Sequence, residues 1–498
     1  MDKQFVMAFD EGTTGCRTIL FDKGGNVYKS SYREFTQIFP KPGWVEHDPM
    51  EIWEAQMQTM RDVMKGVDPQ TIATIGITNQ RETCVVWEAD SGKPVNNALV
   101  WQDKRTSGRC EELKKSGLNE YVRENTGLII DSYFSGTKIK WILDNIPNGM
   151  KRAKKGELRA GTIDSWLIWN LTCGKSHVID YCNASRTLLF NIKCLEWDER
   201  MLSEIGVPRE ILPTPMPSAS ILGMTDESIF EGVGIPIGGA CGDQQAALFG
   251  QACFEKGMVK ATYGTGGTLV MNLGEKPIVS DNGMLTSVAW GLDGKVNYSL
   301  EGLLYVVGAA VQWLRDGLQI IDSAEQSEQL AQSVSDTGGV YVVPAFVGMA
   351  APYWDQFARG TIVGITRGTT RAHIVRATCE SMAYQIRDVV DCMKLDSGID
   401  ITQIKVDGGA CKNNFLMQFQ ADILDTPILR PKVVETTARG AAFLAGLSTG
   451  FWKDTKELVS SFELDREFVP NMQEQTRSKL YGQWKRAVER SLSWEEHD

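Results

Sequence analysis

Residues Ile237 to Gly250 read IGGACGDQQAALFG. Small and apolar residues lead up to Gly242, then Asp243, Gln244 and Gln245 stand together before the helix-forming AALFG. The pattern predicts a buried strand, a turn presenting one carboxylate and two amides, and a helix start. Parallel α/β sheets hold their ligands at such strand ends. An acid there can take a proton from a hydroxyl or face a metal-bound phosphate. It can equally cap the helix, and this stretch alone leaves both readings open.

Toward the N-terminus, QFVMAFD predicts a strand ending at Asp10 and TILFD a second strand, joined by EGTTGCR, Glu11 to Arg17. Strand, Gly/Thr turn and strand make a hairpin. The strand-to-helix phosphate loop G-x-x-x-x-G-K-[ST] occurs nowhere in the chain. A hairpin tip of Gly12, Thr13, Thr14 and Gly15 can still offer N–H groups and hydroxyls to phosphate, or be a plain turn. Asp10 would then hold Mg²⁺ through water, and Arg17 would offer a forked guanidinium. The pattern returns in GMVKATYGTGGTLVMNLG, Gly257 to Gly274, with Gly264, Thr265, Gly266, Gly267 and Thr268 at the tip. Recurrence after ~250 residues suggests two related halves, each giving a phosphate hairpin to a cleft between them.

Between the hairpins, TIATIGITNQ predicts a strand followed by Arg81 and Glu82, a ligand contact or a surface ion pair of little worth. ALVWQDKRT repeats the pattern, with Trp101 as a ligand wall or as ordinary core. In DSYFSGTKIKWILDNIP, Tyr133 sits in the loop before a helix that Pro147 stops. Cys182, Cys194 and His177 carry no evident chemistry. Leu300 to Leu318 reads as one helix with Val306, Ala310 and Leu314 on one side. Gly308 inside it costs roughly 1 kcal/mol against Ala, which suggests close approach by another group. Ala372 to Met393 predicts a long amphipathic helix. ITQIKVDGGACKNN ends a strand at Asp407, and its Gly408–Gly409 pair before a helix suits a nucleotide's approach. The charged tail after Trp452 reads as helical and packed outside the second domain.

The chain has 498 residues and a formal charge of −11, which argues against a nucleic-acid partner. Eleven cysteines without a C-x-x-C pair fit reduced thiols in a cytoplasmic protein. The short apolar run before Asp10 is no signal peptide, and no run approaches the ~20 apolar residues of a membrane helix. The expectation is a soluble cytoplasmic enzyme.

Taken in order, FDEGTTGCR, PGWVEHDP, ITNQRET, WQDKRT, DSYFSGTKIKW, GDQQAALFG, TYGTGGT, GAAVQWLRD, APYWDQFARG and VDGGACKNNFLMQFQADIL make the chain resemble the FGGY carbohydrate kinases over essentially its whole length. Within them it is most similar to the branch that phosphorylates glycerol. The resemblance implies an α/β fold of two actin-like (ribonuclease-H-like) domains, 1–251 polyol-binding and 252–498 nucleotide-binding, with ATP and polyol in the cleft. It implies ATP-dependent transfer to glycerol, giving sn-glycerol 3-phosphate. The acceptor would be held by Arg81, Glu82, Tyr133, Asp243 and Gln244, with Trp101 as an apolar wall. Asp243 would be the base, and Asp10 with Asp243 would serve Mg²⁺. Thr13, Thr14, Arg17, Thr265, Gly308, Gln312, Gly409 and Asn413 fall on nucleotide-contacting positions. The family also implies a homodimer or homotetramer. Positioning groups, a metal and a carboxylate by the nucleophile are what phosphoryl transfer needs.

Three departures stand out. Glu11 and Gly15–Cys16 replace the usual Gln and Ser-Ser of the first hairpin, so Glu11 faces away from the phosphates or couples through Mg²⁺. Thr268 stands where an aromatic usually packs on glycerol, and a lost apolar wall costs ~1–2 kcal/mol of binding. FEGVGIP, Phe230 to Pro236, lacks the arginine of the sugar-bisphosphate regulatory loop, and no His lies at the phosphorylated position of some relatives, so neither regulation is expected. Thr268 motivates an alternative acceptor, another polyol or a ketose of the erythritol, xylulose or ribulose type. A non-catalytic actin-like ATPase is the reading from another class.

Overall fold

A computed structural model of the chain describes residues 2–432, 435–460 and 462–495. Two mixed sheets dominate it. The first runs Ala219–Met224, Pro236–Gly242, Ile72–Asn79, Phe5–Glu11, Gly15–Phe21, Val27–Glu34. The second runs Leu285–Leu292, Lys295–Leu304, Gly267–Gly274, Val259–Tyr263, Ile404–Asp407, Ile428–Pro431, Leu464–Phe468. Each contains the same motif. A first strand pairs antiparallel with its hairpin partner on one side and parallel with a later strand on the other.

Register places the chemistry. In the first sheet Asp10 lies opposite Thr78, Glu11 opposite Asn79, and Asn79 opposite Gly242. Three parallel strands therefore end at one edge, where the chain continues into Arg81, Glu82 and Asp243. In the second sheet Thr262 lies opposite Asp407, so Gly264 and Gly408 leave adjacent strands together. A smaller four-stranded sheet of Glu46–His47, Ala98–Leu99, Cys84–Glu88 and Leu158–Thr162 carries Trp101 beside this edge.

The strand expectations at Asp10 and in both hairpins hold, and three readings need correction. Leu300–Leu318 is not one helix: the strand Lys295–Leu304 precedes a short helix, Gly308–Gln312, and a wider turn, Trp313–Gly317. The first part is buried mid-sheet, where an added Cβ on Gly302 would lie 2.3 Å from Val389, so tertiary packing overrides helical spacing. Gly308 accordingly opens a helix. The tail after Trp452 is not purely helical, because Leu464–Phe468 completes the second sheet, and Trp452 Nε1 donates to the Lys23 carbonyl at 2.8 Å. ALVWQDKRT contributes only Ala98–Leu99 as strand.

Helix Thr436–Ser448 lies late in the chain but packs on the first sheet and on helix Asp243–Gly250. The contact is close because it is made by glycines. An added Cβ on Gly440 would stand 1.8 Å from the Ala246 carbonyl, and on Gly250 1.9 Å from that of Thr436. This helix ties the halves together behind the cleft. The long helix Arg371–Ser397 covers the second sheet, and no helix among the described residues is long and apolar enough to cross a membrane.

Candidate active site

Asp243 is the first residue of its helix and makes no capping bond across the turn; Gly242 holds the cap position. Its side chain is 35% exposed to the cleft. Oδ1 accepts from its neighbour Gln244 N at 2.7 Å, and Oδ2 from Gln244 Nε2 at 3.2 Å. Arg81 Nε ion-pairs with Oδ1 at 3.1 Å, off the line of a good hydrogen bond.

Arg81 is itself held. Nη1 donates to Gln245 Oε1 at 3.0 Å and to Glu301 Oε2 at 2.6 Å, and Nη2 to Glu301 Oε1 at 2.7 Å. Among the described residues this leaves one Nη2 hydrogen uncommitted for an acceptor. Glu82 sits at φ 61, a left-handed conformation costing ~1–3 kcal/mol that fits a corner where the chain leaves one sheet for another. Its Oε1 accepts from Arg186 Nε at 2.6 Å, and Arg186 also lies 3.6 Å from Glu301. Arg81, Glu82, Arg186 and Glu301 thus form one buried, alternating charge cluster. Burial works against ionisation of Glu301, but the Arg186 and Arg81 guanidiniums pull its pKa down to about 2. Glu82 is pushed upward by burial, which Arg186 and Arg81 only partly offset.

Tyr133 and Trp101 line the same corner, edge-to-face with centroids 5.6 Å apart. Trp101 is half-buried, and its indole N–H donates to Thr13 Oγ1 at 3.0 Å, linking the wall to the first hairpin. Lys138 is buried beneath both and donates to the carbonyls of Tyr133, at 2.6 Å, and Val100, at 3.2 Å. Thr268 pairs with Thr262 and Leu303 on the sheet face that also carries Lys260 and Glu301, because those positions alternate in register.

The first hairpin needs its glycine. A Cβ on Gly15 would lie 2.6 Å from the Arg33 carbonyl. Thr14 is exposed, 3.5 Å from the Tyr32 hydroxyl. Arg17 bonds Glu435, just before the helix that crosses back onto the first sheet. Glu11 faces away from Asp10: it is buried, accepts from Gln80 Nε2 at 2.8 Å, and burial raises its pKa. Burial also raises Asp10, against the pull of Arg17 and with help from Glu435 and Asp243, to about 7. The one group of three side chains close enough to share a metal among the described residues lies elsewhere, at Asp180, Cys182 and Cys241. The Asp180 carboxylate there is already saturated by the Cys182 and Asn183 amides, Asn183 Nδ2 and Ser218 Oγ.

On the other side of the second hairpin lies a cavity of about 360 Å³. Thr265, Gly308, Gln312, Gly409 and Asn413 line it, with Tyr263, Arg315, Glu328 and Lys412. Gly308 is required by the hairpin, since its added Cβ would meet the Gly264 carbonyl at 2.6 Å, and its N–H donates there at 2.8 Å. Gly409 has nothing within 4 Å of an added Cβ and stands open to the cavity. Gly408, at φ 90, packs against Tyr263. Asn413 caps helix Asn414–Leu424, its Oδ1 accepting from Leu416 N at 2.9 Å.

Sequence reasoning missed Arg186, Glu301, Lys138 and Lys260. For Glu301 and Lys260 the signal was a lone charge inside an apolar stretch, SLEGLL and MVKATY.

Two actin-like lobes, each sending a Gly/Thr hairpin toward a strand-end carboxylate, define a phosphotransferase for a small hydroxyl-bearing acceptor. The profiles of the FGGY family of carbohydrate kinases match here, the N-terminal domain over residues 5–250 and the C-terminal domain over 259–449. A glycerol kinase of Carboxydothermus hydrogenoformans is 59% identical over 99% of both chains, as is one of Caldanaerobacter subterraneus subsp. tengcongensis. The crystal structure of Plasmodium falciparum glycerol kinase with ADP superposes with a TM-score of 0.94 at 36% identity, covering 99% of each chain. The chain belongs to the FGGY family of carbohydrate kinases, and its reaction is phosphorylation of an alcohol group.

Proposed function

We propose that this kinase transfers the γ-phosphoryl group of ATP to glycerol, giving sn-glycerol 3-phosphate. The acceptor hydroxyl lies against Asp243, which takes its proton as the oxygen attacks phosphorus. Arg81, Glu82, Tyr133 and Gln244 fix the remaining hydroxyls, and Trp101 walls the carbon chain. The observation that carries this is Asp243: an open carboxylate at the strand edge, held on both oxygens by partners that orient it.

The adenine nucleotide occupies the cavity of Thr265, Gly308, Gln312, Gly409 and Asn413, with its phosphates running toward Thr13, Thr14 and Arg17. Asp10 is suited to Mg²⁺: among the described residues its carboxylate has no hydrogen-bond donor, and Asp243 and Glu435 add negative charge beside it. Asp10 and Asp243 would hold the ion, which neutralises charge on the phosphates when bound. Eleven free cysteines fit a cytoplasmic setting, and a homodimer or homotetramer is the assembly expected.

ADP release measured over glycerol, dihydroxyacetone, erythritol, xylitol, xylulose and ribulose tests the reading. Glycerol should give the highest kcat/KM. Thr268, which offers no aromatic wall on the acceptor face, favours the second reading, and a larger polyol or a ketose in first place would establish it instead.

A further inference from the structure

Lys260 lies in strand Val259–Tyr263 of the second sheet, yet its side chain reaches Gln244, the neighbour of Asp243 at the end of the first. It is fully buried. Nζ donates to Gln244 Oε1 and, at 2.8 Å, to Thr262 Oγ1. An ammonium only donates, so it fixes which end of the Gln244 amide faces it: oxygen to Lys260, NH₂ to Asp243. Gln244 Nε2 then donates to Asp243 Oδ2 at 3.2 Å. The other oxygen, Oδ1, already meets Gln244 N at 2.7 Å and Arg81 Nε at 3.1 Å. Oδ2 therefore keeps a lone pair for the proton of the incoming hydroxyl, in a direction that the amide sets.

We propose that Lys260 is a positioning residue for phosphoryl transfer, acting through the Gln244 amide to aim Asp243 Oδ2 at the acceptor hydroxyl. The lobe that holds the nucleotide thereby orients the base on the opposite lobe. This rests on the reading of Asp243 as the base.

A double-mutant cycle of Lys260→Met and Gln244→Leu tests it, with kcat and both KM values measured. Each single change should lower kcat about tenfold with KM for ATP within about threefold, and the double variant should be no worse than the worse single. Multiplying effects would overturn the relay. So would Lys260→Met that raises KM for ATP at unchanged kcat, because Lys260 would then be a phosphate contact. Gln244→Glu keeps the lysine contact but turns the NH₂ donor into a carboxylate oxygen facing Asp243 Oδ2, so it breaks the same link and stands in should Lys260→Met not fold. Its kcat should fall as far as that of Gln244→Leu, and a wild-type kcat would overturn the proposal. Asp243→Asn run alongside separates the two claims. If it retains turnover, the base assignment fails; if it is dead while the cycle is additive, only the relay fails.

Discussion

Arg81 and Glu301 meet across the cleft through hydrogen bonds of 2.6 and 2.7 Å with both side chains buried, whereas Gly409 has open space where a side chain would stand. The acceptor corner is a set of charges that fix one another, Arg81, Glu82 and Arg186 from the first half of the chain and Glu301 from the second sheet. The cavity proposed for the nucleotide brings Gly264, Gly308 and Gly409 together with apolar and charged side chains such as Val311, Met382, Arg315 and Lys412, and its hydrogen bonds belong to the hairpin and the helix cap. The difference follows the chemistry. A small polyol offers little surface, so selecting it takes rigid, paired charges that lose much when a hydroxyl is missing. A nucleotide is large, and close backbone approach with a helix N-terminus suffices.

The comparison breaks most visibly at Glu301. Glu301→Gln leaves two buried guanidiniums short of a carboxylate and should cost about 3–5 kcal/mol in urea unfolding. Its pH dependence has a defined sign. The folded pKa is depressed from 4.5 to about 2, so the stability it contributes is fully present above pH 4.5 and lost as pH falls toward about 2. Acid titration of wild type should show that loss, and Glu301→Gln should lack it. A variant as stable as wild type would mean that the cluster is not what holds the corner.

On the nucleotide side the expected effects are smaller and divide between neighbours. Gly408→Ala forces a side chain into a glycine-only conformation against Tyr263 and should cost about 1–3 kcal/mol. Gly409→Ala should fold like wild type and raise KM for ATP severalfold with kcat held. Equal effects on stability at both positions would remove the distinction between packing glycine and cavity glycine. The smallest change sharpens the acceptor side. Thr268→Phe should favour glycerol over larger acceptors by about tenfold in kcat/KM, the worth of ~1–2 kcal/mol of apolar contact. No change in ranking would detach Thr268 from the acceptor.

Legibility followed the same division. Both Gly/Thr hairpins, the strand-end Asp243 and the Gly408–Gly409 turn were readable because local backbone requirements write themselves into adjacent residues. The partners that make the acceptor corner work were not. Glu301 was hidden by reading Leu300–Leu318 as one helix, since apolar spacing cannot separate a buried strand from a helix start. Arg186 and Lys260 reach the site through register and tertiary packing, 105 and 179 positions after Arg81, distances no local pattern spans. Helix Thr436–Ser448 is the same lesson at the scale of the fold: it follows the second sheet in sequence and packs on the first. Glu11 is the converse case, a charge that looked misplaced beside phosphates and is turned into the protein by strand alternation.

The most direct test is glycerol-dependent ADP release by Asp243→Asn beside wild type, with ADP affinity measured by calorimetry. The variant should keep its ADP affinity, and its kcat should fall by about 10²–10⁴, the range of a lost general base. A variant that turns over glycerol within a few-fold of wild type would contradict the assignment of Asp243 and the account of the acceptor corner built on it.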